Sequence, residues 1–70
     1  MHIKELVVKN IKFYREQSGL SQEELSMKIN RNRNFIGRLE NHEFKREPTI
    51  KLADDIANVL DIDTKLLFRD

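Results

Sequence analysis

The chain contains no cysteine. That excludes disulfides, thiolate nucleophiles and cysteine-based zinc sites, and it allows a reducing compartment. No apolar run approaches the ~20 residues of a membrane span. The opening Met-His-Ile-Lys-Glu-Leu lacks the long apolar core of a secretory signal, so a cytoplasmic protein is expected. Proline occurs once and glycine twice, and no repeat, low-complexity tract, linker or glycine-rich phosphate loop is visible. Material for catalysis is equally scarce. The two histidines, His2 and His42, fall at a tip and in a loop, and no carboxylate pair stands in an apolar setting. Asp54 and Asp55 read as the acidic outer face of a helix rather than a metal site. The expectation is a non-enzyme with no metal, no cofactor and no evident small-molecule ligand.

What is present is a balanced mixture, 39% hydrophobic and 36% charged over 70 residues. This suits one small soluble domain spanning residues 1–70 and not a disordered chain. A domain of this size buries only about 60% of its extended surface, so its stability is modest and dimerisation would help. The net charge of +1 says little about partners, but its distribution says more. Residues 1–27 are neutral overall. Residues 28–46 hold six basic side chains (Lys28, Arg31, Arg33, Arg38, Lys45, Arg46) against Glu40 and Glu43. From Glu47 onward the chain is net acidic. A concentrated positive segment is the footprint of a phosphate-binding face.

Five helices and no strand follow from the apolar spacing, making the chain all-α. The first runs over Ile3 to Gln17, with Leu6, Val7, Ile11 and Tyr14 on one inward stripe. Ser18-Gly19 stops it. Ser21 and Glu24 form a capping box that opens a second helix over Gln22 to Ile29, with Leu25 and Ile29 inward. Asn30 is a plausible left-handed stop. Asn32 then caps a third helix, Arg33 to Asn41, that turns Ile36 and Leu39 inward and Arg33, Asn34 and Arg38 outward. After a polar loop, His42 to Glu47, Pro48-Thr49 starts a fourth helix with Ile50, Ala53, Ile56, Ala57 and Leu60 on its core face. Asp63 caps a last short helix, Thr64 to Phe68.

The stretch Leu20 to Asn41, with its Ser-Gln-Glu-Glu-Leu start and Ile-x-x-Leu-Glu-Asn finish, resembles the helix-turn-helix of the phage repressor and Cro-type (XRE) family. Weaker similarity extends from Ile3 to Phe68. The resemblance implies a compact five-helix, lambda-repressor-like fold and a DNA-binding regulator of transcription, repressor-like, whose third helix reads the major groove. The family usually carries Gly where Asn30 and His42 stand here. His42 is the harder substitution, so the loop after the third helix is expected to differ in shape. Pro48 also lies about two residues later than the family pattern.

Arg33, Asn34 and Arg38 are the candidates for reading bases. Arg can bond guanine through two donors, and Asn can bond adenine through a donor and an acceptor, both from the major groove. Arg38 could equally bind a phosphate. Phe35 either packs against the second helix or presents its ring to a thymine methyl, and the run Phe35-Ile36-Gly37 resembles a short motif of restriction-modification controller proteins. Gly37 permits close approach either of DNA or of another helix. The resemblance implies that Gln22, at the positive end of the second helix, bonds a phosphate. Asn32, Asn41, Lys45 and Arg46 are further phosphate candidates. It also implies an ion pair between Arg15 and Glu40 that orients the third helix. Leu66, Leu67 and Phe68 either form a dimer contact or cap the domain's own core. A two-fold homodimer would place two third helices about 34 Å apart and read a palindromic operator. The rivals are a protein–protein adaptor or antitoxin-type module on the same fold, and a restriction-modification controller.

Overall fold

The computed structural model describes residues 2–70. Among them are four α-helices and one 3₁₀ helix, and no strand. Helix α1 spans Ile3–Gln17, α2 Gln22–Lys28, α3 Phe35–Glu40 and α4 Ile50–Leu60, and Thr64–Phe68 form the 3₁₀ helix. The last short helix is thus of the tighter 3₁₀ kind, and the α-helices number four among the described residues. Among the described residues no helix is long and apolar enough to cross a membrane.

Caps decide where the helices begin. The Ser21 hydroxyl accepts from the Glu24 N–H at 3.0 Å, and the Glu24 carboxylate accepts from the Ser21 N–H at 2.9 Å. Thr49 caps α4 by accepting from Leu52 N–H, and Asp63 caps the 3₁₀ helix by accepting from Lys65 N–H. The α-helices all end alike. Each closes with a residue at positive φ, followed by one whose N–H reaches back to a carbonyl of the last turn. The left-handed positions are Gly19, Asn30, His42 and Asp61, with φ of 75°, 61°, 58° and 56°. The paired backbone bonds run from Leu20 to Arg15, Arg31 to Ser26, Glu43 to Arg38 and Ile62 to Ala57. His42 thus takes the backbone that glycine would take, and at this residue the loop keeps the shape the family pattern implies.

The core gathers Val7, Val8 and Ile11 from α1, Leu25 from α2, Ile36 and Leu39 from α3, and Leu52, Ala53, Ile56, Ala57 and Leu60 from α4. Leu67 completes it and is fully buried. This assigns Leu67 to the domain's own core and removes it as a free dimer contact; Leu66 and Phe68 are half-buried. Ile50, expected inward, is 65% exposed, because it is the first residue of α4 and lies beyond the packed stripe. The 3₁₀ helix packs chiefly on α1. There Asn10 donates its side-chain N–H groups to the carbonyls of Leu67 and Arg69, at 3.0 and 2.7 Å.

Candidate nucleic-acid interface

The pair α2–α3 is tied at its crossing by a residue the sequence did not single out. Ser26 is wholly buried. Its hydroxyl donates to the Gln22 carbonyl at 2.8 Å and accepts from the Ile36 N–H at 2.9 Å. It therefore satisfies a first-turn donor of α3 that would otherwise be buried without a partner. The one clue in the sequence is its spacing, four residues after Gln22 and beside core Leu25.

The turn between the helices departs from expectation. Asn32 does not cap a helix beginning at Arg33. Its carboxamide oxygen accepts from the Asn34 N–H at 2.9 Å, and its carbonyl accepts from Phe35 N–H at 2.9 Å. The side chain has closed an Asx turn, so α3 starts two residues later than expected. Arg33 and Asn34 sit in that turn, both exposed. Asn34 occupies the position just before α3 without capping it through its side chain, which leaves the carboxamide available to an outside partner.

Beneath α3 lies a buried ion pair. Arg15 donates from Nε to one Glu40 oxygen at 2.8 Å and from Nη2 to the other at 3.0 Å, while Nη1 bonds the Leu20 carbonyl at 2.9 Å. The Arg15 side chain is 9% exposed and that of Glu40 2%. The two-bond geometry with Glu40 raises the Arg15 pKa against the opposing effect of burial, so the guanidinium stays charged. Gln22 completes the arrangement by donating Nε2–H to Glu40 at 2.9 Å. One N–H of its carboxamide is thereby engaged inside the protein, and one is left for an external acceptor.

This geometry also explains Gly37. A Cβ there would lie 3.0 Å from the Gln22 carboxamide oxygen. The glycine lets the Gln22 side chain cross α3 on its way to Glu40, so the close approach is between helices of the protein itself.

Gln22, Arg33, Asn34, Arg38 and Asn41 line one shallow concavity of about 460 Å³, together with Glu23, Gly37 and Glu43. Within it Arg38 pairs with Glu43 at 3.3 Å, and its guanidinium lies 4.9 Å from the centre of the Phe44 ring. Phe35 is on another side of α3. Its ring packs on Phe44 with centroids 5.3 Å apart, and the Arg31 guanidinium covers it at 4.6 Å. Packing thus accounts for Phe35. Lys45 and Arg46 are not on the Gln22–Asn34 surface either; they border a separate groove with Arg31, Phe35 and Phe44. Phe44 was overlooked in the sequence, although a lone aromatic in the polar loop His42 to Glu47 is a signal that it packs. Its carbonyl also accepts a bond from the Lys4 ammonium.

Residues 11–67 match a family model described as helix-turn-helix (HTH_3). The match takes in the Arg15–Glu40 pair, both helices of the motif and the groove. No curated protein sequence matches the chain. Among solved structures, the chain is similar to the crystal structure of a hypothetical transcription factor, NHTF, from Neisseria. The two superpose with a TM-score of 0.86 at 19% identity, over 97% of this chain and 76% of that one. At that identity the likeness is one of fold.

Proposed function

The chain belongs to the helix-turn-helix family, in its XRE type of DNA-binding transcription regulators, and from that premise we propose that it is a sequence-specific, repressor-like regulator that places α3 in the major groove of double-stranded DNA. The observation that carries this reading is the single surface shared by Gln22, Arg33, Asn34, Arg38 and Asn41, resting on a rigid underside of Arg15, Glu40 and Ser26. Side chains that read bases need their helix held in a fixed orientation, since small displacements lose the two-bond contacts.

Arg33 and Asn34 read bases from the corner where α3 begins. Arg38 leaves Glu43 to reach a base or phosphate, a small cost because the pair is exposed on both sides. Gln22, Asn32 and Asn41 contribute phosphate contacts, and Lys45 and Arg46 extend them along the backbone. Two copies, joined through half-buried Leu66 and Phe68 and the adjoining exposed Phe13, read a palindromic operator in the cytoplasm.

The test is fluorescence anisotropy at physiological salt, titrating the protein into DNA from upstream of its own gene and into scrambled DNA of equal length. A preference of roughly a thousandfold supports specific reading and self-regulation. Asn34→Ala then relaxes the choice at one base pair, whereas Lys45→Ala weakens all DNA alike and lowers the salt dependence. Equal, weak binding to both DNAs, with no site emerging from a random pool, rejects the proposal in favour of an adaptor on the same fold.

A further inference from the structure

The side of α3 away from Gln22 holds a groove apart from the surface proposed to read bases. Its walls are Phe35, Leu39, Phe44, Pro48 and Leu52, and its volume is about 360 Å³. That lies within the range of small-ligand sites, roughly 300–1,000 Å³, which are characteristically apolar with a few placed polar groups. Here the placed groups share one sign. Arg31, Lys45 and Arg46 stand at the edge with a single acid, Glu47. None of the three cations is in an ion pair among the described residues. Arg31 is nevertheless held in place, because its guanidinium lies 4.6 Å over the Phe35 ring. A guanidinium over a ring still carries more N–H donors than that contact uses, so it can meet an anion as well.

We propose that this groove is a binding site for a small amphipathic anion, a medium-chain or aryl carboxylate. The apolar body lies on Phe35, Phe44 and Leu52, and the carboxylate meets Arg31, Lys45 and Arg46. Charge and size select this occupant. The DNA backbone supplies phosphates but no extended apolar body to fill the floor, and an uncharged apolar molecule would gain nothing from the three cations. The groove lies near the lower end of the ligand-site range, which favours one small molecule over a length of polypeptide.

The site stands independently of DNA reading. One consequence rests on that reading: where Lys45 and Arg46 contact phosphates, ligand and DNA compete for them.

The experiment is a titration of the full chain, without DNA, with decanoate below its micellar concentration, followed by amide chemical shifts. Saturable one-to-one binding is expected, with shifts confined to the amides of residues 31, 35, 39, 44–47, 49 and 52. Decanol, of equal length and no charge, binds at least tenfold more weakly. The double variant Lys45→Glu/Arg46→Glu, on two exposed positions, loses decanoate binding at least tenfold, and Arg31→Gln does so by several-fold if the double variant fails to fold by circular dichroism. Shifts centred instead on exposed Phe13 or Ile50, equal binding of decanol, or no saturation would each overturn the site. So would a short acidic peptide with Leu and Phe anchors that shifts the groove amides where decanoate does not; the groove would then belong to a protein partner. Because DNA is absent, failure here leaves the DNA proposal untouched, and loss of specific DNA binding leaves this one untouched.

Discussion

On one side of α3, Gly37 and Arg38 lie over a framework of directed bonds: Arg15 to Glu40, Gln22 to Glu40, and Ser26 to Ile36. On the other, Phe35 and Leu39 face stacked rings and a loop, held mainly by Phe44 between Phe35 and Arg38. The first side is geometrically specified, since hydrogen bonds and a two-point ion pair tolerate little displacement. The second is adaptable, since ring stacking is broad in angle and distance. One helix thus presents a stiff face and a softer one.

Removing Glu40 tests the stiff side most severely. Glu40→Ala leaves the buried Arg15 with only the exposed Glu16 carboxylate 4.0 Å away and the Leu20 carbonyl, and urea unfolding should show a loss of about 3–5 kcal/mol. Replacing both partners with apolar residues, Arg15→Met with Glu40→Leu, should recover most of that loss while degrading DNA discrimination. Phe44→Ala tests the soft side. Phe44 is only half-buried, so the same measurement should show a smaller loss, about 1–2 kcal/mol, as the contacts to Phe35 and Arg38 disappear.

Gly37→Ala opposes two effects. Alanine gains about 1 kcal/mol of helix propensity, while its Cβ pushes the Gln22 carboxamide off its path to Glu40. A thermal melt should therefore change little in the parent, whereas in a Gln22→Ala background the same change should raise stability by about 1 kcal/mol. The smallest effect comes from pH. The backbone N–H and hydroxyl of Ser21 hold the Glu24 carboxyl below the usual carboxylate range. Its folded pKa is lower than its unfolded one, so its contribution is present above the unfolded value and disappears as pH falls through the folded value. Glu24→Gln should lower stability slightly at neutral pH, where that contribution is present, and leave it nearly unchanged below the folded value, so the acid limb of a pH–stability curve flattens.

Much of this was legible because it is local. The Ser21–Glu24 box, the Thr49 and Asp63 caps, and the stops at Gly19 and Asn30 are settled within a few residues of sequence, and all stand where spacing puts them. The start of α3 was misplaced because Asn32 has two local uses, capping a helix or closing an Asx turn, and composition does not choose between them. Ser26, Gly37 and Phe44 depend on partners in other elements: a helix start ten residues away, a crossing side chain, and a ring on the far end of α3. The end of the chain was ambiguous for the same reason. Leu66, Leu67 and Phe68 are equally apolar, and only packing on α1 selects Leu67 for the core.

That packing also sets a timetable for synthesis. The ribosome releases α1 long before its main packing partner, since Leu67 and the carbonyls bonded by Asn10 lie more than fifty residues downstream. A nascent chain stopped at Leu60 would hold all four α-helices yet leave the flank of α1 without its cover, open to chaperones and proteases. The α2–α3 pair is therefore made early, but the packing that keeps it oriented is in place only once Thr64–Phe68 emerge.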